Sequence, residues 1–224
     1  MMRSGPPSSL PALRQLLAAR FPPAVRAADN ALATGITAID AASGGLPRPG
    51  LTEVVCTAPS CGSQLLFGQL LQVTREQSLR IALVDRHDAF DPGSWPHHLL
   101  QHLVWIRTQE VTQALSAADL LARDANLGVV ALDLRHTSPR ELRGVPASRW
   151  YRVQRAIEPT LMAGIVFTSF PLVPSATLRL ELSQSHGLPV QHQLRPSLVQ
   201  DLSPAILRQR VLSRTSAEPL ASGT

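Results

Sequence analysis

The chain has 224 residues, which is long enough for one α/β domain with a sizeable core and short for two. Hydrophobic residues make up 44% of it and charged residues 17%, a balance that predicts a folded globular protein and excludes a disordered one. No apolar run approaches the roughly 18–20 residues that cross a bilayer, and the first residues lack the continuous apolar segment of a signal peptide. We therefore predict a cytoplasmic protein that makes no membrane contact.

Arginine supplies all 21 basic side chains, against 16 acidic ones, for a net charge of +5. A GC-rich genome that favours arginine codons explains this composition, and we prefer that explanation because basic charge alone is a non-specific signal. The functional alternative is phosphate or nucleic-acid contact, to which the guanidinium group is well suited. The two cysteines, Cys56 and Cys61, form neither a disulfide framework nor a strong metal motif. We interpret them as buried or incidental thiols and predict no metal site.

The periodicity of apolar residues predicts an α/β domain preceded by a short N-terminal region. Residues 1–31 carry a loose Ser/Pro/Gly-rich start and a helix, Leu10–Phe21, that ends before two prolines. Residues 32–200 form the core domain, in which apolar strands alternate with helices, as is typical of a parallel sheet covered on both faces. The predicted strands are Leu51–Cys56, Leu79–Val84, Leu103–Ile106, Leu127–Leu132 and Gly164–Thr168, and the predicted helices are Ser63–Thr74, Thr108–Arg123 and Ser148–Leu161.

Further elements are predicted towards the C-terminus. Ala176–Leu182 alternates leucines with polar residues, which predicts a half-exposed strand in an antiparallel hairpin with Pro189–Leu194. Residues 201–224 are predicted to contain a short amphipathic helix within Ser203–Leu212 and a disordered tail, Ser213–Thr224. The helix packs on its own domain or binds a partner, and the sequence leaves both open. Its partner-binding residues would be Ile206, Arg208, Arg210 and Val211.

One loop lies where a phosphate-binding loop is expected, between the first core strand and the helix after it. The pattern GxxxxGK[ST] needs backbone N–H groups around the phosphates, a lysine for their charge and a hydroxyl for magnesium. Gly62 keeps the second glycine, but Thr57 replaces the first, and Ser63 and Gln64 replace the lysine and the hydroxyl. Pro59 also removes a backbone donor. An arginine from elsewhere in the fold, or from a neighbouring subunit, could still supply the missing charge.

Four motifs in this order resemble those of the RecA family. Residues 32–47 resemble its Thr-Gly and Gly-Gly-Leu-Pro lead-in, and residues 84–92 resemble its second-strand motif with a terminal Asp-Pro. Leu127–Asp133 is similar to the Walker B strand, and Gly164–Ser169 falls at the last core strand with its phosphate-sensing amides. The resemblance covers about residues 32–182. It implies a RecA-like three-layer α/β sandwich with a mainly parallel central sheet and a C-terminal antiparallel hairpin.

The departures from the family pattern remove ATPase chemistry. His87 stands at the position of the glutamate that activates water, and Thr168 and Ser169 replace the sensing amides. Asp133 keeps the Walker B position, where an acid can also simply cap a turn. We interpret His87 as structural, because no magnesium site accompanies it. We therefore expect neither ATPase activity nor a cofactor.

The loops that bind DNA in the family are short here, but the first of them carries arginines that continue along the next helix. They form either a residual nucleic-acid or partner surface or a solvated helix face, and the sequence leaves both open. The residues concerned are Arg135, Arg140, Arg143, Arg149, Arg152 and Arg155.

A short, lysine-free RecA-like chain with a decayed phosphate loop resembles the ImuA group of bacterial SOS-response proteins, which are also called SulA-like. The resemblance implies a non-catalytic accessory protein of mutagenic translesion synthesis. Its partner would be an ImuB-like Y-family polymerase homologue within an error-prone polymerase complex, with self-association, RecA contact or weak DNA binding as further options. Two alternatives remain: a divergent DNA-dependent ATPase of the RecA family, and a SulA-like inhibitor of cell division.

Overall fold

A seven-stranded sheet forms the centre of the protein. The computed structural model describes residues 31–210. Two short strands, β1 (Ala31–Leu32) and β2 (Leu46–Pro47), pair antiparallel ahead of the sheet. The strands of the sheet are β3 (Gly50–Cys56), β4 (Arg80–Asp85), β5 (Leu103–Arg107), β6 (Leu127–Asp133), β7 (Ala163–Thr168), β8 (Leu178–Leu182) and β9 (Ala205–Gln209).

The strands lie across the sheet in the order β5-β4-β6-β7-β3-β8-β9. Neighbouring strands are parallel except for β8 and β9, which are antiparallel. The strand that leads into the phosphate loop, β3, is central: Val54 pairs with Phe167 of β7 on one side and with Leu180 of β8 on the other. The parallel arrangement places the carboxyl ends of β3, β4, β6 and β7 at one edge of the sheet, where such sheets bind ligands.

Helices cover both faces of the sheet. On one face, an apolar cluster joins α1 (Thr37–Ser43) and α2 (Ser63–Glu76) to strand residues such as Val54 and Phe167. On the other face, a second cluster joins α4 (Val111–Leu121) and α6 (Ala147–Ile157) to strand residues such as Val130 and Val166. In the described part of the chain no helix is both long and apolar enough to cross a membrane. The helices are α1 (Thr37–Ser43), α2 (Ser63–Glu76), α3 (His97–Leu100), α4 (Val111–Leu121), α5 (Pro139–Arg143), α6 (Ala147–Ile157) and α7 (Arg195–Gln200).

The predicted α/β class with a mainly parallel sheet is confirmed. The five predicted core strands are present within one residue of their expected bounds. Four of them are buried parallel strands with a clear apolar pattern, and the fifth, β5, is a partly exposed edge strand. The helix predicted over Ser148–Leu161 ends earlier, at Ile157, because Pro159 cannot continue it. The predicted helix Leu10–Phe21 and the predicted tail Ser213–Thr224 lie outside the described residues.

The antiparallel partner of β8 differs from the prediction. The second strand of the hairpin was expected over Pro189–Leu194, but Leu188–His192 forms a 3₁₀ turn. The strand that pairs with β8 is β9, which comes later in the chain. The antiparallel addition to the sheet is therefore present, although a different segment supplies it.

The amphipathic helix predicted within Ser203–Leu212 is wrong. Ala205–Gln209 is the strand β9, in which Ile206 and Arg208 are half-buried and their neighbours are exposed. Arg210 continues the pairing, since its N–H donates to Thr177 O at 2.7 Å. The edge of β8 satisfies the backbone of this segment, and a helix of so few residues is marginal without such partners. The remaining predicted partner residue, Val211, lies outside the described residues.

Candidate functional site

The loop between β3 and α2 keeps the strand–turn–helix form of a phosphate loop. It begins after Cys56 and ends at Gly62, which caps α2 in the left-handed conformation with φ of 85°. A side chain at this glycine would collide with Leu202 and press against His186. Glycine is therefore required at position 62 both by the backbone conformation and by the packing around it.

A segment near the C-terminus, residues 183–203, lies over this loop, and we call it the strap. Ser185 Oγ donates to Pro59 O at 2.9 Å, and His186 N donates to Ser60 O at 3.1 Å. Loop and strap line an open pocket of about 1020 Å³, which we call the loop cavity. Besides loop residues, including Thr57, Gly62, Ser63 and Gln64, it is lined by Arg135, His136, His186, Val190, Arg195 and Leu198.

An arginine that follows β6 lies among the remaining polar groups of the loop. Arg135 Nη1 donates to Ser63 Oγ. Its Nε donates to both carboxylate oxygens of Asp133, at 2.9 and 3.1 Å, and its Nη2 forms a further ion-pair contact with the same carboxylate. The guanidinium group thus links Ser63, at the position of the phosphate-loop lysine, with Asp133, at the position of the Walker B acid.

Both members of this ion pair are largely removed from water, with side chains that are 13% exposed in Arg135 and 7% exposed in Asp133. Burial acts to lower the pKa of Arg135, but the hydrogen bond and the negative charge of Asp133 outweigh it and raise the pKa above its ordinary value. The arginine is therefore always charged, and the carboxylate balances its charge. An incoming phosphate would meet a neutralised pair instead of a free cation.

Little space remains behind these groups. The cavity lined by Ser63, Gln64, Asp133 and Arg135 has a volume of about 10 Å³, room for about one water molecule. Gln64, at the position of the magnesium-binding hydroxyl, donates from Nε2 to Ala89 O at 3.4 Å. Within residues 31–210, no group of three or more His, Cys, Asp or Glu side chains is arranged to hold a metal ion. The absence of a cofactor stays a prediction.

Three further predicted site residues, His87, Thr168 and Ser169, do not line the loop cavity. His87 lines a separate cleft with Arg86, and its Nε2 is 3.2 Å from Thr137 Oγ1. Burial of the ring and the charge of Arg86 lower the pKa of His87, so the ring is neutral at pH 7. Ser169 is half-buried just beyond the end of β7.

A buried carboxylate fixes the loop that follows β7, which is where the second DNA-binding loop would lie. Glu53 in β3 is fully buried and accepts hydrogen bonds from Thr168 Oγ1 at 3.1 Å, Leu172 N at 2.6 Å and Val173 N at 3.0 Å. Arg179 Nε donates to its other oxygen at 2.5 Å. Thr168 therefore holds this carboxylate, and the short loop is tied to the centre of the sheet. The sequence signal that was missed is a single acid inside an apolar strand.

The architecture matches a solved structure. The crystal structure of the RadB recombinase is similar to this chain with a TM-score of 0.54 and 17% sequence identity, over 67% of this chain and 82% of that chain. This chain has a RecA-like fold. No protein-family model matches the sequence, and no curated protein matches it significantly, so the likeness is one of fold.

Five of the six arginines that were predicted to form a surface on this RecA-like chain are exposed, and the sixth, Arg135, is not. Arg135 does not belong to it, because Asp133 draws its side chain into the phosphate loop. The guanidinium group of Arg143 stacks on Phe170, with its carbon 5.4 Å from the ring centre. The other predicted members are exposed on α5 and α6; they are Arg140, Arg143, Arg149, Arg152 and Arg155.

Sequence reasoning missed part of this surface. Asp119 of α4 is buried and accepts hydrogen bonds from Arg123 at 3.0 Å and from Arg152 at 3.1 Å, which holds both arginines between α4 and α6. Burial acts to raise the pKa of Asp119, but these two hydrogen bonds lower it below its ordinary value. Tyr151 is 46% exposed and lines one cleft with these arginines and Arg155. We call the four residues Arg123, Tyr151, Arg152 and Arg155 the α6 surface.

Proposed function

We propose that this protein is a non-catalytic RecA-like accessory protein of the DNA damage response, which acts by binding a protein partner. The observation that carries the proposal is the ion pair between Arg135 and Asp133, to which Ser63 is hydrogen-bonded. A phosphate-loop ATPase needs a free cation for the phosphates and a free acid for magnesium. Here the cation and the acid satisfy each other within the protein.

Opening this pair for a magnesium–nucleotide complex is energetically costly. Removing one partner of a buried ion pair costs about 3–5 kcal/mol, and the contacts that would compensate are reduced in this loop. Ser63 carries no charge, Gln64 has no hydroxyl group, and Pro59 has no N–H to offer a phosphate. These losses favour a protein that does not hydrolyse ATP over one in which an arginine has replaced the lysine.

The proposed partner is an ImuB-like Y-family polymerase homologue in an error-prone complex that acts in SOS-type translesion synthesis. Support comes from the RecA-like fold together with the altered loop and the resemblance to the ImuA group. A RecA-like protein that does not hydrolyse ATP still has surface residues through which it binds a partner. The α6 surface, with one exposed tyrosine among arginines, has the composition typical of energetically important interface residues.

ATP turnover by the purified full chain, with magnesium and single-stranded DNA, tests the first half of this proposal. We expect no phosphate release above a protein-free control, because the loop has no free cation and no free metal ligand. Millimolar ATP should also leave the Tm unchanged, since a ligand that binds the folded state would raise it. Magnesium-dependent turnover that co-elutes with the protein would instead establish the divergent-ATPase alternative.

Co-expression with an ImuB-like protein tests the second half. We expect the tagged full chain to retain that protein through affinity purification and to elute with it as one complex on size exclusion. The tubulin-like division protein serves as the competing bait in a parallel experiment. Retention of the division protein alone would replace the proposed role with that of a SulA-like inhibitor.

A further inference from the structure

A groove lies between the start of α4 and the connection from α5 to α6, and we call it the α4–α5 groove. It is open to solvent and has a volume of about 580 Å³. Val111 and Leu115 of α4 are both 3% exposed and form its apolar floor, to which Val145 and Pro146 of the connection add. The groove therefore offers an apolar side chain a place that is removed from water.

Two free cations lie on the α5–α6 side of this groove. Arg140 and Arg149 line it, and both are exposed. Among the residues that the structure describes, neither guanidinium group has an ion-pair partner or donates a hydrogen bond. They differ in this from Arg135, whose charge Asp133 balances. A carboxylate at the groove would therefore meet free guanidinium groups, which bind carboxylates through two parallel hydrogen bonds.

Acidic side chains are fewer around the groove. Glu141 forms an ion pair with Arg86 at 3.3 Å, and Glu110 on the α4 side accepts a hydrogen bond from Thr112 Oγ1 at 3.2 Å. Residues 139–157 carry five arginines and one acid, so most of the net charge of +5 of the chain belongs to α5 and α6. The groove thus combines a basic rim with an apolar floor.

We propose that the α4–α5 groove binds a short acidic segment of the protein partner. A leucine or phenylalanine of that segment packs on the apolar floor, and its carboxylates bind Arg140 and Arg149. The inference rests on the proposed function and names the chemistry by which the partner is recognised. Arg149 and Arg152 lie three residues apart on α6, so the groove adjoins the α6 surface and one partner is able to contact both.

The lining of the groove favours an acidic peptide over a nucleic acid. A single strand binds by stacking its bases on aromatic side chains, and no aromatic residue lines the groove in the described part of the chain. The carboxylate of Glu110 also opposes the regularly spaced charges of a phosphate backbone. A peptide avoids this repulsion, because it can place an uncharged residue beside Glu110 and an apolar one on the floor.

Fluorescence anisotropy with the purified full chain tests the proposal. The probe is a labelled peptide in which a Leu-Phe pair lies between aspartate and glutamate residues. We expect saturable binding that weakens about tenfold in each of the variants Arg140→Ala and Arg149→Ala. Arg149→Lys should restore only part of the loss, because an ammonium group lacks the forked geometry of guanidinium. The matched control is Arg75→Ala, exposed on α2, which should bind like the unaltered chain.

Two further probes separate the apolar contribution from the ionic one. A peptide with Ala-Ala in place of Leu-Phe should bind about tenfold more weakly, and an oligo(dT) strand at equal concentration should not displace the labelled peptide. Equal binding of the two peptides, or displacement by oligo(dT), would overturn the proposal, because the groove would then be a non-specific site for anions.

The complex with the ImuB-like protein distinguishes failure of this inference from failure of the proposed function. We expect an excess of the acidic peptide to displace that protein, and Arg149→Ala to weaken the complex. If the complex forms but neither the peptide nor the variant affects it, the groove proposal is wrong and the proposed function stands. If the peptide binds in the groove and no complex forms, the recognition chemistry stands and the proposed partner is wrong.

Discussion

Arg135 shows how one side chain alters the chemistry of the phosphate loop. The lysine of a working loop faces its ligand, whereas this arginine reaches Ser63 from a position 72 residues later in the chain. Asp133 holds its Nε and Nη2 groups within 3.1 Å. The acid at the Walker B position therefore has a structural partner, and its presence in the sequence does not indicate a metal site.

Asp133→Asn should destabilise the protein, because the largely buried Arg135 would keep its charge and lose its counter-ion. We expect a loss of about 3 kcal/mol in the free energy of unfolding, measured by urea denaturation followed by circular dichroism. The matched control is Asp88→Asn. It breaks the ion pair with Arg107, whose members are 64% and 57% exposed for Arg107 and Asp88, and it should cost less than about 1 kcal/mol. Similar small losses in both variants would show that Asp133 is not energetically coupled to Arg135.

At the scale of elements, β3 does more than lead into the phosphate loop. It lies between β7 and β8, and its Glu53 ties both the loop after β7 and Arg179 of β8 to the middle of the sheet. A mobile loop needs free backbone groups, but the N–H groups of Leu172 and Val173 both donate to this carboxylate. We infer that the segment at the position of the second DNA-binding loop is a rigid connection.

Glu53→Gln should loosen this connection, since it removes the counter-ion of Arg179 and places an amide NH₂ among hydrogen-bond donors. We expect unfolding free energy to fall by about 3 kcal/mol and amide exchange at Leu172 and Val173 to accelerate, as measured by hydrogen–deuterium exchange. Glu158→Gln, at an exposed position after α6, is the control and should leave both quantities nearly unchanged. Exchange that stays slow in the Glu53 variant would refute the proposed tie.

At the scale of the whole molecule, the two faces of the sheet carry different features. The strap contributes Val199 and Leu202 to the apolar cluster on the α2 face, while the α6 surface belongs to the opposite face with α4 and α6. The loop cavity and the α6 surface are therefore separate features of the molecule, and they share no lining residue. A partner on the α6 surface would not need access to the loop.

Tyr151→Ala and Arg155→Ala should weaken the complex with the ImuB-like partner, because they remove the exposed tyrosine and an exposed arginine of the α6 surface. We expect a loss of about tenfold in affinity for each, measured by fluorescence anisotropy with labelled partner. Arg75→Ala, exposed on α2, is the matched control and should have no effect.

The same variants are to be measured with a labelled oligo(dT) strand. Loss of oligonucleotide binding with unchanged partner binding would assign the α6 surface to nucleic acid. Unchanged binding of both ligands in both variants would remove any functional role for this surface.

The sequence alone determined the elements of the core and the losses in the phosphate loop. Four buried strands, the partly exposed edge strand β5 and three helices have apolar patterns that local sequence specifies, and the absence of lysine is a matter of composition. The C-terminal segment shows where this reasoning stops: a pattern suited to a short helix formed β9, because the free edge of β8 offered hydrogen bonds that a short helix cannot match.

Only the tertiary structure decided what the site contains. The contact of Arg135 with Ser63, the strap over Pro59 and Ser60, and the hydrogen bonds from Leu172 and Val173 to Glu53 join residues far apart in the chain. Local periodicity carries no information about such pairs, because burial and charge balance select them only when the sheet has assembled. An arginine assigned to the surface from its sequence neighbours therefore became the counter-ion of a buried acid.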